Sequence, residues 1–234
     1  MGKVIMSGIV PQLEAPSNYD PVFANNTWEQ IIEACQKNKV PETWEVGDQK
    51  AMTINGTDYL IDIIGKNHDD YSDGSGKAPM TFQLHDLYGT TYQMNSSNTN
   101  SGGWTSCRMR TTNIPAILVL MPSEIQLGLK EVNKLTSEGN RSTVIHTTKD
   151  KLFLLSEIEI FGSTSYSATG EGIQYAYYSA GNSRLKQLNE SINGWWGRSP
   201  DIRYATGFCR VNSSGQADTD TAATQMGVAL AFCF

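Results

Sequence analysis

The residue types best suited to binding a metal ion lie in the polar stretch NHDDYSDG. Asp69, Asp73 and Gly74 match the first, fifth and sixth positions of a calcium-binding loop. The third position is Tyr71, and the twelfth is Met80, where the loop requires a bidentate Glu. The match therefore fails at its most informative position.

A second arrangement would bring two histidines and two carboxylates together, a ligand set that suits transition metals. The four residues are His68, Asp69, His85 and Asp86. The alternative is structural, with each histidine donating a hydrogen bond to a backbone carbonyl or a carboxylate. We favour the structural interpretation and expect neither a bound metal nor a cofactor.

The sequence offers little support for nucleophilic catalysis. A serine nucleophile needs a histidine base and a positioned carboxylate, and no G-x-S-x-G elbow occurs. His146 lies inside a strand pattern, which is typical of a structural histidine. We expect four buried, reduced thiols at Cys35, Cys107, Cys209 and Cys233, since none forms a C-x-x-C pair. A bridge between Cys209 and Cys233 stays open, although the lack of a secretion signal disfavours it.

Composition and charge narrow the class of protein. A chain of 234 residues, 39% hydrophobic and 18% charged, suits one globular domain with elaborations. The net charge is −6 and no Lys/Arg run occurs, which disfavours a nucleic-acid-binding face. No apolar run approaches the ~18 residues of a membrane span, and no adequate signal peptide begins the chain. We therefore expect neither nucleic acid nor membrane as a partner.

Local patterns predict an α+β protein with many short antiparallel strands and two or three helices. Thr27 and Gln30 form a capping box before a helix that ends near Lys39. Asn55-Gly56 is the strongest hairpin signal, because a type I′ turn needs positive φ at both central residues. The other predicted elements are strands over 50–54, 57–64, 80–87 and 152–155, helices over 111–120 and 121–129, a hairpin over 131–136 and 142–148, and a short helix or turn over 156–161.

Apolar segments and polar stretches alternate through the last forty residues. The apolar segments Trp195–Pro200, Phe208–Val211 and Gly227–Phe234 are predicted framework strands. We expect the last of them to close a sheet between two neighbours, because so apolar a strand would otherwise aggregate. The polar stretches Asp201–Gly207 and Gln216–Met226 are predicted loops. Polar loops on a rigid scaffold are typical of a binding surface.

The motifs W-W-x-R-S-P, F-C-x-V-x-x-x-G and G-V-A-x-A-F-C-F resemble a family of uncharacterised domains from gut Firmicutes and their phages. That family is similar to the C-type lectin fold. The chain also resembles the variable proteins of diversity-generating retroelements, which carry a hypervariable C-terminal segment on that fold. The resemblance implies a C-type lectin-like fold. The E-P-N, Q-P-D and W-N-D triplets of calcium-dependent sugar binders do not occur, which disfavours that route to glycans.

The same resemblance assigns roles to individual positions. It implies scaffold positions at Arg198, Ser199, Pro200, Phe208, Cys209, Val211, Gly215, Gly227, Val228, Phe232 and Cys233. It implies ligand-binding, diversified positions at Gly197, Ile202, Arg203, Tyr204, Arg210, Gln216, Asp218, Asp220, Gln225, Met226 and Leu230. Exposed Tyr and Arg favour contact surfaces, because they provide large areas at low entropy cost. The alternative is that these loops are solvated connectors.

Together these inferences predict a ligand-binding or receptor-binding protein of a phage or prophage particle, and not an enzyme. Residues 194–234 would bind a protein or glycan on the bacterial surface. Residues 1–26 would form an extended arm that attaches to phage structural proteins or wraps the domain, and residues 27–234 a single C-type lectin-like domain. We expect it in the virion, after synthesis in the bacterial cytoplasm. A structural decoration protein of capsid or tail, an enzyme of the formylglycine-generating type of fold, and a homo-oligomer remain alternatives.

Overall fold

The first long helix begins at the predicted capping box. In the computed structural model, which describes residues 19–234, α1 spans Trp28–Gln36. The Gln30 N–H donates to Thr27 Oγ1 at 3.3 Å, and the Thr27 N–H donates to Gln30 Oε1 at 2.8 Å. Trp28, Ile31 and Cys35 lie on the buried face of α1, as the spacing predicts.

A five-stranded antiparallel sheet forms the centre of the protein. Its strands lie in the order β1-β2-β3-β12-β6, with β1 Gln49–Ile54, β2 Thr57–Lys66, β3 Met80–Leu84, β6 Leu152–Phe153 and β12 Ala231–Cys233. The β1–β2 turn has φ of 49° at Asn55 and 80° at Gly56, which confirms the predicted hairpin. The predicted closing strand is also confirmed, because β12 pairs with β3 on one side and β6 on the other.

Three smaller antiparallel sheets accompany the central one. They pair β4 (Val132–Ser137) with β5 (Ile145–Asp150), β7 (Lys186–Leu188) with β8 (Ser191–Asn193), and β10 (Gly207–Val211) with both β9 (Trp195–Pro200) and β11 (Ala217–Thr221). The strands β4, β5, β9 and β10 match predicted segments. The strand β11 corrects the prediction of a loop over Gln216–Met226. Pairing with β10 outweighs the low β-propensity of its aspartates.

Helices are short and lie between the strands. Besides α1 they are α2 Gly103–Ser106, α3 Ile114–Leu118, α4 Ser123–Gly128, α5 Glu157–Phe161 and α6 Ala176–Ser179, with a 3₁₀ turn over Phe23–Asn25 and a π turn over Met109–Asn113. Residues 19–234 thus hold more helices than the two or three expected, because single turns leave no readable apolar period. The architecture is mixed α+β with short antiparallel sheets. None of the helices in this part of the chain has the length and apolarity needed to cross a membrane.

Residues 19–26 of the predicted arm pack on the domain, whereas residues 1–18 of it lie outside the described residues. Phe23 is buried, and its ring stacks on that of Phe82 of β3 with centroids 6.1 Å apart. Trp44 Nε1 donates to the Asp20 carbonyl at 2.9 Å. The four cysteines are buried and free, as predicted.

Four charged side chains form a buried network that joins three sheets. Lys134 of β4 donates to Asp69 Oδ1 at 2.7 Å and lies 2.8 Å from Glu159 Oε1. Arg198 of β9 is fully buried and donates to both oxygens of Glu159. Thr81 of β3 donates to Asp69 Oδ2 at 2.5 Å. The network therefore connects the central sheet, the β4–β5 hairpin and the β9–β11 sheet.

The charges in this network compensate one another. Asp69 and Glu159 contribute two negative charges, and Lys134 and Arg198 two positive ones. Burial alone would raise the pKa of Asp69, but the Lys134 ammonium and its hydrogen bonds lower it to about 2. Burial likewise opposes ionisation of Glu159, yet Arg198 and Lys134 lower its pKa. Both carboxylates are therefore charged at neutral pH.

Glu171 lies beside the network but lacks a full set of partners. Its side chain is buried, and Oε1 accepts from the Ser137 N–H at 2.7 Å. Oε2 has no hydrogen-bond partner within residues 19–234. Burial raises the pKa of Glu171, and this outweighs the lowering by Ser199, Ser137 and Arg198.

Replacing Arg198 by lysine tests the network. Arg198 also donates to the carbonyls of Leu135 at 3.0 Å, Leu154 at 2.9 Å and Glu171 at 2.9 Å, and one ammonium cannot make these bonds together with both Glu159 contacts. We expect R198K to lower the free energy of unfolding by about 3 kcal/mol in guanidinium chloride titrations.

The matched control is Arg108→Lys, because Arg108 is exposed. This control should change the free energy of unfolding by less than about 0.5 kcal/mol. Equal effects of the two substitutions would contradict a structural role for the network.

Replacing Glu171 by glutamine tests the pH dependence. A carboxyl whose pKa is raised on folding contributes stability below its unfolded pKa, near 4.5, and that contribution is lost as pH rises through the folded pKa. The slope is about 1.4 kcal/mol per pH unit for one proton. Because glutamine does not ionise, we expect the Glu171→Gln variant to gain stability relative to wild type as the pH rises above about 5.

Urea unfolding at several pH values measures this difference, with Glu42→Gln on the exposed surface as control. Parallel profiles of unfolding free energy against pH for wild type and the Glu171→Gln variant would show that Glu171 titrates normally.

Candidate ligand-binding surface

The strand β9 fixes the β9–β11 sheet to the core, because each of its residues is buried. Trp195 Nε1 donates to the Arg184 carbonyl at 3.0 Å, and Trp196 Nε1 donates to the Tyr92 carbonyl at 2.9 Å. Both indole rings are fully buried with their N–H groups satisfied. The sheet therefore supplies a rigid base for the segment that follows β9.

The loop over residues 201–206 is shaped by Asn100, which lies in the Asn/Ser/Gly-rich stretch of residues 95–106. Asn100 is fully buried, and its Nδ2 donates to the carbonyls of Asp201 at 3.0 Å, Tyr204 at 3.0 Å and Gly207 at 2.7 Å. Its Oδ1 accepts from the Asn140 N–H at 2.8 Å. One amide group thus reaches three carbonyls in and beside the loop, and that of Gly207 also accepts from the Asp201 N–H. The Asn/Ser/Gly composition of residues 95–106 gave no signal for this role.

Arg203 and Tyr204 are exposed residues of this loop. The side chain of Arg203 is 44% exposed, and Tyr204 is 59% exposed. The Arg203 guanidinium lies 3.2 Å from the buried Asp201 carboxylate and 4.1 Å from the centroid of the Tyr166 ring. Hydrogen bonding to Asp201 raises the pKa of Arg203. Tyr166 therefore belongs to this surface, although it lies outside residues 194–234.

A second group of predicted residues surrounds Arg210. Its Nη2 lies 2.7 Å from Asp218 and its Nη1 lies 3.6 Å from Asp220. Thr219 lies between these aspartates in β11 and accepts from Arg203 Nη2 at 3.3 Å. Because side chains alternate between the faces of a strand, the Arg203 group and the Arg210 group lie on opposite faces of β11. The structure therefore divides the predicted surface in two.

The aspartates of β11 also cover its outer edge. The Thr219 N–H donates to Asp218 Oδ1 at 2.8 Å, and the Thr221 N–H donates to Asp220 Oδ1 at 2.7 Å. Since β11 is the edge of its sheet, these N–H groups are the donors that another strand would use. The edge is thereby protected against pairing with a further strand.

The remaining predicted binding residues are distributed between surface and interior. Gln216 and Gln225 are exposed, and Ile202 is half-buried. Met226 and Leu230 are buried in the core. Gly197 is also buried, and a Cβ there would lie 3.1 Å from the Leu155 carbonyl oxygen.

The four weak metal candidates do not come together as one set of ligands. The rings of His68 and Tyr175 stack with centroids 3.9 Å apart, and Asp69 belongs to the buried network. His85 Nδ1 lies 2.9 Å from Asp62, and Asp86 accepts from the Gln187 N–H at 2.7 Å. The hydrogen bond to Asp62 raises the pKa of His85. Within residues 19–234, no three His, Cys, Asp or Glu side chains are grouped as metal ligands.

Comparison with known families places this chain in a family. A family described as a domain of unknown function, DUF6273, matches residues 80–234. Because the match covers more than half of the chain, the chain belongs to that family. Comparisons with curated proteins and with solved structures found no match.

Asn100→Ala tests the support of the 201–206 loop. The substitution leaves the Asp201 and Tyr204 carbonyls without their side-chain donor, while the Gly207 carbonyl still accepts from the Asp201 N–H, so we expect a loss of about 1–3 kcal/mol in the free energy of unfolding. Amide hydrogen exchange in residues 202–207 should accelerate more than exchange in β12. Ser97→Ala, at an exposed position three residues before Asn100, is the control and should change neither the free energy of unfolding nor the exchange in residues 202–207. Unchanged exchange in 202–207 would exclude the supporting role of Asn100.

Proposed function

We propose that this chain is a ligand-binding protein of a phage or prophage particle that uses a C-type lectin-like scaffold. The resemblance of its C-terminal motifs to variable proteins supports the class of function. The observation that carries the proposal is the placement of Arg203 and Tyr204. They are exposed on a loop whose backbone the buried Asn100 holds in place.

The proposed contact surface consists of Tyr166, Arg203, Tyr204 and Thr219. Its arginine is preorganised, because Asp201 pairs with the guanidinium and the Tyr166 ring lies 4.1 Å from it. A side chain already fixed in one position loses little entropy when it binds. The surface would bind by complementarity and without turnover, with a few central residues providing most of the affinity.

The ligand would be a protein or a glycan on the surface of a bacterium. Pairing with Asp201 compensates the charge of Arg203, so the surface suits a neutral polar or aromatic ligand better than a strongly charged one. The N-terminal arm would attach the protein to other components of the particle.

The double substitution Arg203→Ala with Tyr204→Ala tests this function. Labelled protein is titrated onto a panel of gut Firmicutes cells, and binding of the double variant should weaken by at least about tenfold. Arg203→Ala leaves the buried Asp201 carboxylate without its cation, so the midpoint of thermal unfolding should fall, and binding is compared at a temperature at which the double variant is folded.

Arg108→Ala, which removes an exposed arginine elsewhere, is the matched control and should bind like wild type. Unchanged binding by a folded double variant would remove this patch from the proposal.

A further inference from the structure

A groove separate from the proposed contact surface lies between β2 and the β7–β8 hairpin. Its volume is about 520 Å³, which is within the range of small-molecule sites. Tyr59 and Leu60 of β2 line it on one side, Leu188 and Glu190 line it from the hairpin, and Asp86 lines it from the segment after β3. Leu60 is 46% exposed, so part of the apolar lining is open to solvent.

A tyrosine ring in this groove is held in a fixed position. Tyr59 Oη accepts from the Gly89 N–H at 3.0 Å. The Tyr59 ring stacks on Tyr88 with centroids 5.7 Å apart and planes inclined by 17°, and Tyr88 stacks on Tyr92 at 6.4 Å. The ring that lines the groove is therefore ordered before any ligand binds, and an aromatic face attracts cations.

The groove has an excess of negative charge. Asp58, Asp86 and Glu190 line it, and no Lys, Arg or His does. Within residues 19–234 none of the three carboxylates makes an ion pair. Asp58 accepts a hydrogen bond from Thr53 Oγ1 at 2.5 Å, and Asp86 accepts one from the Gln187 N–H.

One buried cation lies near this groove. The charge of Asp86 acts on Lys186, whose pKa burial lowers to about 8. The Lys186 ammonium already donates to the carbonyls of Leu84 and His85, each at 2.6 Å. Counting this ammonium, three negative charges face one positive charge, and the groove retains an excess of about two negative charges.

We infer that this groove binds an organic cation, an alkylammonium or alkylguanidinium group, with the cation against the Tyr59 ring. Asp86 and Glu190 would compensate its charge, while Leu188 contacts its alkyl part. An anion would be repelled, and a purely apolar ligand would desolvate the carboxylates without compensation. The cation would be either a free amine or the side chain of an arginine or lysine in a polypeptide.

Calorimetric titration of the full chain with butylguanidinium tests this inference. Butylurea is the matched neutral probe, because it has nearly the same shape without the charge. We expect saturable binding of butylguanidinium in about the millimolar range and no measurable binding of butylurea. Acetyl-arginine amide is the third probe. Tighter binding than butylguanidinium favours a polypeptide side chain as the source of the cation, and weaker binding favours a free organic cation.

Two substitutions locate the binding in the groove. Glu190→Gln should weaken butylguanidinium binding by up to about fivefold. Tyr59→Leu should weaken it by about fivefold or more, whereas Tyr59→Phe keeps the aromatic face and should retain binding within about twofold. Glu42→Gln removes an exposed carboxylate elsewhere and is the control.

Three results would overturn the inference. They are equal binding of butylurea and butylguanidinium, no saturable heat with either cationic probe, and an effect of Glu42→Gln as large as that of Glu190→Gln. Thermal unfolding of each variant shows whether it is folded, and Tyr59→Phe keeps the test of the aromatic face valid even where Tyr59→Leu unfolds.

Discussion

The arrangement of the sheets depends on four buried charges that must all be paired. Asp69, Lys134, Glu159 and Arg198 come from separate parts of the chain, and each is at most 4% exposed. An unpaired charge in such a site is strongly destabilising, so the four charges are compatible with a stable fold only when all of them are paired. An apolar core of similar volume would be comparably stable, but it would not require four particular side chains to meet. The network therefore selects one relative arrangement of the central sheet, the β4–β5 hairpin and the β9–β11 sheet.

This constraint extends to the proposed contact surface through β9. Arg198 fixes the strand shortly before the 201–206 loop begins, and the Asp201 N–H donates to the Gly207 carbonyl at 3.0 Å where the loop ends. Asn100 then holds the carbonyls between these points. Arg203 and Tyr204 project from a backbone that is already fixed. Since neither takes part in the buried network, substitutions at these two positions leave that network intact.

Features predicted correctly from the sequence are those whose partners lie close along the chain. The capping box at Thr27 and the Asn55-Gly56 turn are of this kind. The role of Asn100 depends on carbonyls about one hundred residues away, and no local pattern reports it. Lys134 is buried in a strand whose alternation places it on the inner face, where a charged residue is expected only with partners that the sequence cannot identify. Likewise, β11 is a strand because β10 lies beside it.

The two faces of β11 differ in how much change they tolerate. Asp218 and Asp220 each make two kinds of contact: they pair with Arg210, and they accept hydrogen bonds from the N–H groups at the sheet edge. A residue that replaces either aspartate must still accept a hydrogen bond from the N–H of the following residue, which favours Asp, Asn, Ser or Thr. Any other replacement would leave that N–H free and open the edge to pairing with other strands. The Arg203 side chain makes no contact with the N–H groups of the sheet edge; it compensates the charge of the buried Asp201 carboxylate, which also accepts from the Arg203 N–H. If the surface is diversified, the Arg203 face is therefore where varied residues change binding without exposing an edge, and the Arg210 face is where the choice of residue is restricted.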